Sequence, residues 1–140
     1  MFGALAYNQN KVDNEDAKVL FSNRMLLNED GNFSIGECMH SFEMQMPVQL
    51  STKKPIVHIS INPHPEDVLS DQQLTDIAQE YMQKLGYGNQ PYLVYKHEDI
   101  DRHHIHIVGL RVDENGKPLG VYFKEQKESN QMIEEFMLLA

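Results

Sequence analysis

Hydrophobic and polar residues alternate most clearly in the second half of the chain. In residues 55–61, Val57, Ile59 and Ile61 are separated by polar residues, and this period of two predicts a half-buried strand. Ser70 with Gln73 three residues later predicts a capping box that opens a helix. Apolar residues then recur at helical spacing up to Gly86, which predicts an amphipathic helix with the apolar positions Leu74, Ile77, Ala78, Tyr81, Met82 and Leu85.

In the rest of the second half, the sequence pattern predicts a hairpin followed by a strand and a helix. Residues 91–97 and 104–112 have the composition of strands, and the loop 98–103 between them implies that they pair as a hairpin. A turn leads into a short strand at 121–123. The spacing of the apolar residues near the end predicts a last helix containing Met132, Ile133, Phe136 and Met137.

The first half has weaker patterns. The apolar residues 2–7 predict a strand, and apolar positions within 17–27 are compatible with a helix. A strong turn signal follows at 28–32, and the methionines near Pro47 suggest a loosely packed connection. Together the elements predict an α+β fold of the broad α/β class, with a central antiparallel sheet of about five strands and helices packed on one face.

Composition sets limits on the class of protein. The chain has 140 residues, 41% of them hydrophobic, which suits one domain over residues 1–140 with a real core. No run of about 20 apolar residues and no signal peptide is present, so we expect a cytoplasmic protein. Cys38, the single cysteine, is expected to be a small buried hydrophobe. The net charge of −9 argues against broad, nonspecific attraction to phosphate backbones.

Histidines concentrate in residues 97–108, which hold four of the seven in the chain. On a strand, His104 and His106 point to the same face with their Cα atoms about 6.5 Å apart, because the rise is about 3.3 Å per residue. His97, at the end of the preceding strand, offers a third imidazole. Three imidazoles suit zinc, manganese, nickel or cobalt. The alternative is that these are solvated histidines on the open face of a sheet.

Other residues near the histidines are candidates for supporting roles. Glu98, Asp99 and Asp101 are candidates to orient an imidazole or shuttle a proton, and otherwise are plain loop carboxylates. His103 is one step out of phase with His104 and is expected to face away from it or to lie in the loop. His58 shares the polar face of its strand and is a candidate to border the site.

The histidine signature His104-Ile105-His106, with His97 upstream, resembles the plasmid mobilization relaxases of the HUH endonuclease superfamily. The resemblance looks greatest to relaxases of mobilizable elements in Bacteroides-type bacteria. It extends over further segments of the chain, namely residues 4–12, 57–62, 80–82, 90–95 and the histidine segment through Asp113.

This resemblance implies an HUH endonuclease-like fold and a nickase that cuts one DNA strand at an origin of transfer. Tyr7 matches the tyrosine nucleophile, which would form a 5′-phosphotyrosine. Among the carboxylates of the loop, Asp99 is the second catalytic candidate, and which of them acts as base stays open. His97, His104 and His106 would hold a divalent ion, namely manganese, magnesium, zinc, nickel or cobalt. The implied partners are single-stranded DNA and accessory mobilization proteins. Relaxases of this kind usually continue well past this length, so the expected unit is the catalytic domain alone, from a truncated or shortened relative.

Alternatives remain for the nucleophile, the DNA contacts and the function. Tyr95, two residues before His97, is the second candidate nucleophile. A metal-holding DNA-binding or regulatory module without nicking activity, and a metal-dependent hydrolase of small phosphoesters, are the competing functions. The basic residues near the motifs are the candidate phosphate contacts, namely Lys53, Lys54, Lys96, Arg102, Arg111, Lys117 and Lys124.

Overall fold

The computed structural model describes residues 2–14, 16–25, 34–48, 55–64, 68–98, 104–117, 119 and, as backbone only, 133–139. The described residues form three helices and five strands. In chain order they are α1 (Gly3–Asp13), β1 (Ala17–Asn23), α2 (Ile35–Met44), β2 (Ile56–Pro63), α3 (Asp71–Leu85), β3 (Tyr92–His97), β4 (His104–Leu110) and β5 (Ile133–Leu139).

The strands form one antiparallel sheet in the order β1-β3-β4-β2-β5. The hairpin of β3 and β4 is confirmed, and its register places His97 opposite His104 and Tyr95 opposite His106. Because β4 lies between β3 and β2, His106 also lies opposite Ser60 of β2. The predicted α+β architecture with about five antiparallel strands is therefore confirmed.

The two faces of the sheet are covered by different helices. On one face, α3 packs through Leu74 and Met82 onto the aliphatic residues of the central strands, such as Ile59 and Ile107. On the other face, α1 and α2 cover a second cluster that includes Leu5 of α1 and Phe42 of α2. The expectation that helices occupy one face is wrong, since the side chains on each face of the sheet belong to a separate apolar cluster that helices cover.

Helix α3 begins and ends as its sequence predicts. Ser70 accepts a hydrogen bond from the backbone N–H of Gln73, and the Gln73 side chain accepts one from the backbone N–H of Ser70. The helix ends at Gly86, whose φ of 89° lies in the left-handed region that glycine adopts at low cost. The capping signals in the sequence thus act within a few residues, independently of the rest of the fold.

Two predictions in the N-terminal region are wrong. Residues 3–13 form α1 rather than a strand, and its buried residues Leu5, Asn8 and Gln9 follow helical spacing. Two of these three are polar, so a search for apolar periodicity could not detect this face. Residues 17–23 form β1 rather than a helix, because they pair along β3 from Ala17 opposite His97 to Asn23 opposite Tyr92.

Two more elements differ from the prediction. The methionine-rich segment contains α2, which Ser34 caps by accepting from the backbone N–H of Glu37 at 3.1 Å. The predicted last helix is instead β5, which pairs with the free edge of β2. The predicted strand 104–112 ends at Leu110. The turn at 28–32 and the strand at 121–123 lie outside the described residues.

Cys38 is fully buried beside Phe42, as predicted for a small hydrophobe, and burial raises the pKa of its thiol to about 11. Among the helices in the described ranges, none is both long and apolar enough to cross a membrane.

Candidate metal-binding and nucleophile site

Three histidines meet at one end of the β3–β4 hairpin, on the face covered by α1. His97 ends β3, His104 begins β4 opposite it, and His106 follows on the same face of β4. Their rings lie close together, with centroid distances of 4.9 Å for His97–His104, 4.0 Å for His97–His106 and 5.1 Å for His104–His106. The structure therefore brings together the two imidazoles that strand alternation predicts on one face, His104 and His106, and the third imidazole, from His97.

The donor set fits a divalent cation. One nitrogen from each of the three rings lies within 4.8 Å of the others. Three nitrogens at about 2.1 Å from a shared tetrahedral ion lie about 3.4 Å apart, so modest rotations of the side chains would close the set. Neutral imidazole suits zinc, manganese, nickel and cobalt. The residues that would hold the ion are His97, His104 and His106.

Two side chains outside the triad contact its rings. Asn8 of α1 lies with its Oδ1 2.7 Å from Nε2 of His97. His58 of β2 lies with its Nε2 2.6 Å from Nδ1 of His106. Burial lowers the pKa of His58, which favours the neutral imidazole. His58 borders the site as its strand face predicted, whereas Asn8 was not a candidate from the sequence because its only signal is its place next to Tyr7.

Tyr7 lies over the histidine cluster from α1. Its ring centroid is 6.0 Å from that of His97 and 6.4 Å from that of His106. Half of the side chain is exposed to solvent, so a substrate has access to it. Lys11, one turn later on α1, places its Nζ 5.8 Å from the centre of the Tyr7 ring. A hollow of about 420 Å³ beside the ring is lined by Ala6, Tyr7, Gln9, Asn10 and Asp13.

Tyr95 is poorly suited to be a nucleophile. It is completely buried in the cluster beneath α1 and α2, and burial raises the pKa of its phenol. No described residue hydrogen-bonds its hydroxyl. Although Tyr95 and His97 share a strand face, Tyr95 lies beneath the helices while Tyr7 lies at the solvent boundary.

The candidate carboxylates divide into two groups. Asp99 and Asp101, with His103, lie outside the described residues. Glu98 is described, and its carboxylate lies 3.6 Å from Nζ of Lys18 and 3.8 Å from Nζ of Lys96. Within the described residues, the carboxylate of Glu98 therefore lies beside lysines.

The lysines next to Glu98 also contact Asp71, the first residue of α3. Asp71 lies 2.6 Å from Lys18 and 2.7 Å from Lys96. Hydrogen bonds from these lysines lower the pKa of Asp71 to about 2. Lys96 is thus occupied by carboxylates, and Arg111 is nearly buried, so neither presents a free cation for a phosphate. Of the other candidate phosphate contacts, Lys117 is exposed, while Lys53, Lys54, Arg102 and Lys124 lie outside the described residues.

In this chain an antiparallel sheet carries the histidine triad, and Tyr7 on α1 lies above it. The chain belongs to the family described as Relaxase, MobA/VirD2-like, nuclease domain, whose model matches residues 7–138. The match begins at Tyr7 and includes all three histidines. No curated protein and no solved structure matched the chain. The resemblance to relaxases is therefore confirmed at the level of the family, and its Bacteroides-type detail stays a prediction.

Proposed function

We propose that this domain is a metal-dependent relaxase that nicks one strand of DNA at an origin of transfer, with Tyr7 as its nucleophile. The observation that carries the proposal is the placement of Tyr7, half-exposed and 6.0 Å by ring centroids from His97, at the only histidine triad found among the described residues. Membership in the relaxase nuclease family supports the same reaction.

In the proposed reaction the phenolic oxygen of Tyr7 attacks the scissile phosphorus in line with the bond to the 3′ oxygen. The Tyr7–phosphorus bond forms as the phosphorus–3′-oxygen bond breaks, which yields a 5′-phosphotyrosine and a 3′-hydroxyl. The phenolic proton passes to a carboxylate oxygen of Asp99, and the departing 3′ oxygen takes up a proton from solvent water. Because one phosphodiester is exchanged for another, the reverse reaction rejoins the strand.

A divalent cation held by His97, His104 and His106 would polarise a nonbridging phosphate oxygen and offset the charge that develops during attack. The chain's own contribution is positional. The hairpin register holds His97 opposite His104, and α1 sets Tyr7 above them. This division of roles explains why residues about ninety positions apart in sequence must lie in one site.

The net charge of −9 bears on how DNA is bound. A domain this acidic has little long-range attraction for a phosphate backbone, so recognition must depend on local contacts at the site. Lys11, beside Tyr7 on α1, is the described cation best placed for such a contact. We propose single-stranded DNA at the transfer origin as the substrate, accessory mobilization proteins as further partners, and the cytoplasm as the place of action.

The test is formation of a covalent protein–DNA adduct. The protein is incubated with Mn²⁺ or Mg²⁺ and single-stranded oligonucleotides that tile the DNA around its own gene, and adducts are resolved on denaturing gels. We expect an adduct that Tyr7→Phe abolishes, because the phenylalanine ring lacks the attacking oxygen. Tyr81→Phe is the matched control, since Tyr81 packs with α3 on the opposite face of the sheet.

Other outcomes would select the competing functions. Tight metal and DNA binding without an adduct would indicate a binding or regulatory module. Turnover of small phosphoesters that survives Tyr7→Phe but is lost in His104→Ala would indicate a hydrolase. An adduct that persists in Tyr7→Phe would show that another residue is the nucleophile. Loss of the adduct in the single variant Asp99→Asn would support Asp99 as the proton acceptor.

A further inference from the structure

Asn8 is a polar side chain with no exposed surface, placed next to the proposed nucleophile. Successive residues of a helix point about 100° apart, so Tyr7 faces solvent and the histidines while Asn8 turns toward the sheet. There its Oδ1 lies 2.7 Å from Nε2 of His97. The opposite end of the amide is also held, because Nδ2 donates to the carbonyl oxygen of Ala4 at 2.8 Å.

These two contacts determine where the hydrogen of His97 lies. The carbonyl of Ala4 can only accept, so the nitrogen of the Asn8 amide must face it and the oxygen must face His97. An amide oxygen carries no hydrogen, so Nε2 of His97 must donate. A neutral His97 then has its lone pair on Nδ1, and Nδ1 is the atom that would bind a cation.

Burial makes this contact important for the site. His97 is 1% exposed and Asn8 is fully buried, so water cannot replace a lost partner easily. Loss of a residue that orients a metal-binding histidine typically weakens metal affinity by about 10–100-fold. The same helix carries Tyr7, so a shift of Asn8 would also displace the nucleophile relative to the triad.

We propose that Asn8 is a positioning residue that selects the Nε2–H form of His97 and joins the helix of the nucleophile to the metal site. The inference rests on the proposed function, because it assumes that His97 binds a cation. It goes beyond that function by assigning the residue after the tyrosine a role in metal affinity, through a hydrogen bond rather than through contact with DNA.

The first experiment measures metal affinity by calorimetry with Mn²⁺ and with Zn²⁺, in the absence of DNA. The leucine of Asn8→Leu has the same branched arrangement of heavy atoms as asparagine and removes both hydrogen bonds. We therefore expect this variant to bind metal about 10–100-fold more weakly than the native protein. Asn8→Asp retains an oxygen acceptor for His97 and should restore much of the loss. Asn14→Ala, an exposed position at the end of the same helix, is the matched control and should leave affinity unchanged.

A second experiment requires no substitution. Long-range ¹H–¹⁵N NMR spectra of the metal-free native protein at pH 8 report which nitrogen of each histidine is protonated. We expect His97 to carry its hydrogen on Nε2. A hydrogen on Nδ1 would overturn the proposal, as would native metal affinity in a folded Asn8→Leu variant. If Asn8→Leu does not fold, as judged by circular dichroism, the proposal is tested by the NMR result and by the metal affinity of Asn8→Asp.

The readouts separate this inference from the proposed function. Metal affinity and the tautomer of His97 do not depend on DNA or on Tyr7. A protein whose metal affinity depends on Asn8 but which forms no DNA adduct would refute nicking and support the inference. If the native protein forms a Tyr7 adduct and the Asn8→Leu variant keeps the native metal affinity, nicking would be supported and the inference refuted.

Discussion

Gly109 provides a test of how tightly the strand that carries His104 and His106 is packed. It lies three residues after His106, opposite Tyr92 in the sheet register. A Cβ at this position would lie 2.9 Å from Cβ of Tyr92, 3.3 Å from the carbonyl oxygen of Pro91 and 3.4 Å from Cε of Met82. The methionine end can move, but the first two atoms are attached to or part of the backbone.

The backbone of β3 has little freedom to give way. The carbonyl oxygen of Pro91 accepts the backbone N–H of Leu110 at 2.9 Å, which ties the two strands together beside Gly109. Overpacking of this kind typically costs about 1–3 kcal/mol. We therefore expect Gly109→Ala to lower the free energy of unfolding by that amount, and the melting temperature by about 3–5 °C for each kcal/mol in a domain of this size.

The measurement is urea unfolding followed by circular dichroism, with thermal melts as a second observable. Gly36→Ala is the control, because a Cβ at Gly36 meets only Oγ of Ser34, at 3.8 Å, and alanine favours a helix by about 0.5–1 kcal/mol. Unchanged or increased stability of Gly109→Ala would refute the reasoning, because it would show that β3 and β4 separate without cost.

Three further predictions concern buried or paired polar groups. Hydrogen bonds from Lys18 and Lys96 lower the pKa of Asp71 from 3.8 to about 2, so the stabilising effect of the ionised carboxylate exists above its ordinary pKa and is lost as pH falls. The stability difference between the native protein and Asp71→Asn should therefore shrink from pH 5 to pH 2. A constant difference in denaturant midpoints over this range would contradict the prediction. Tyr95→Phe removes a buried hydroxyl that no described residue hydrogen-bonds. The variant should be as stable as the native protein or up to about 1 kcal/mol more stable, and it should still form the DNA adduct. A clear loss of stability or of adduct formation would disprove the assignment of Tyr95 to the core. His58→Leu removes the contact with Nδ1 of His106 and should weaken Mn²⁺ affinity by about 10-fold or more, and His58→Gln should restore it. Equal Mn²⁺ affinities of the native protein and of both variants would exclude an orienting role for His58.

The elements that the sequence predicted correctly are those whose signals are local. The capping box at Ser70, the helical spacing behind it and the glycine at 86 all act within one helix. The hairpin of β3 and β4 was likewise predictable, because a short loop between two alternating strands leaves few other ways to pair. Strand alternation then placed His104 and His106 on one face, and the structure shows their rings with a centroid distance of 5.1 Å.

The elements that were predicted wrongly depend on distant partners. Residues 17–23 and 133–139 become strands because they pair with β3 and β2, and nothing within the segments themselves requires this. The signal for α2 was present as Ser34 with Glu37, together with Cys38 and Phe42 at helical spacing, but the methionines obscured it. For β-pairing, propensity within a window cannot substitute for knowledge of the neighbouring strand.

The candidate site divides in the same way. Alternation along β4 places His104 and His106 on one face, a local rule that the sequence carries by itself, and the register of the hairpin brings His97 opposite His104. Their relation to Tyr7 depends on α1, whose buried face contains Asn8 and Gln9 and so has no apolar pattern to reveal it. Only the packed structure shows that this helix crosses the histidine face, because the buried side chain that secures it bonds to His97, 89 residues away in sequence.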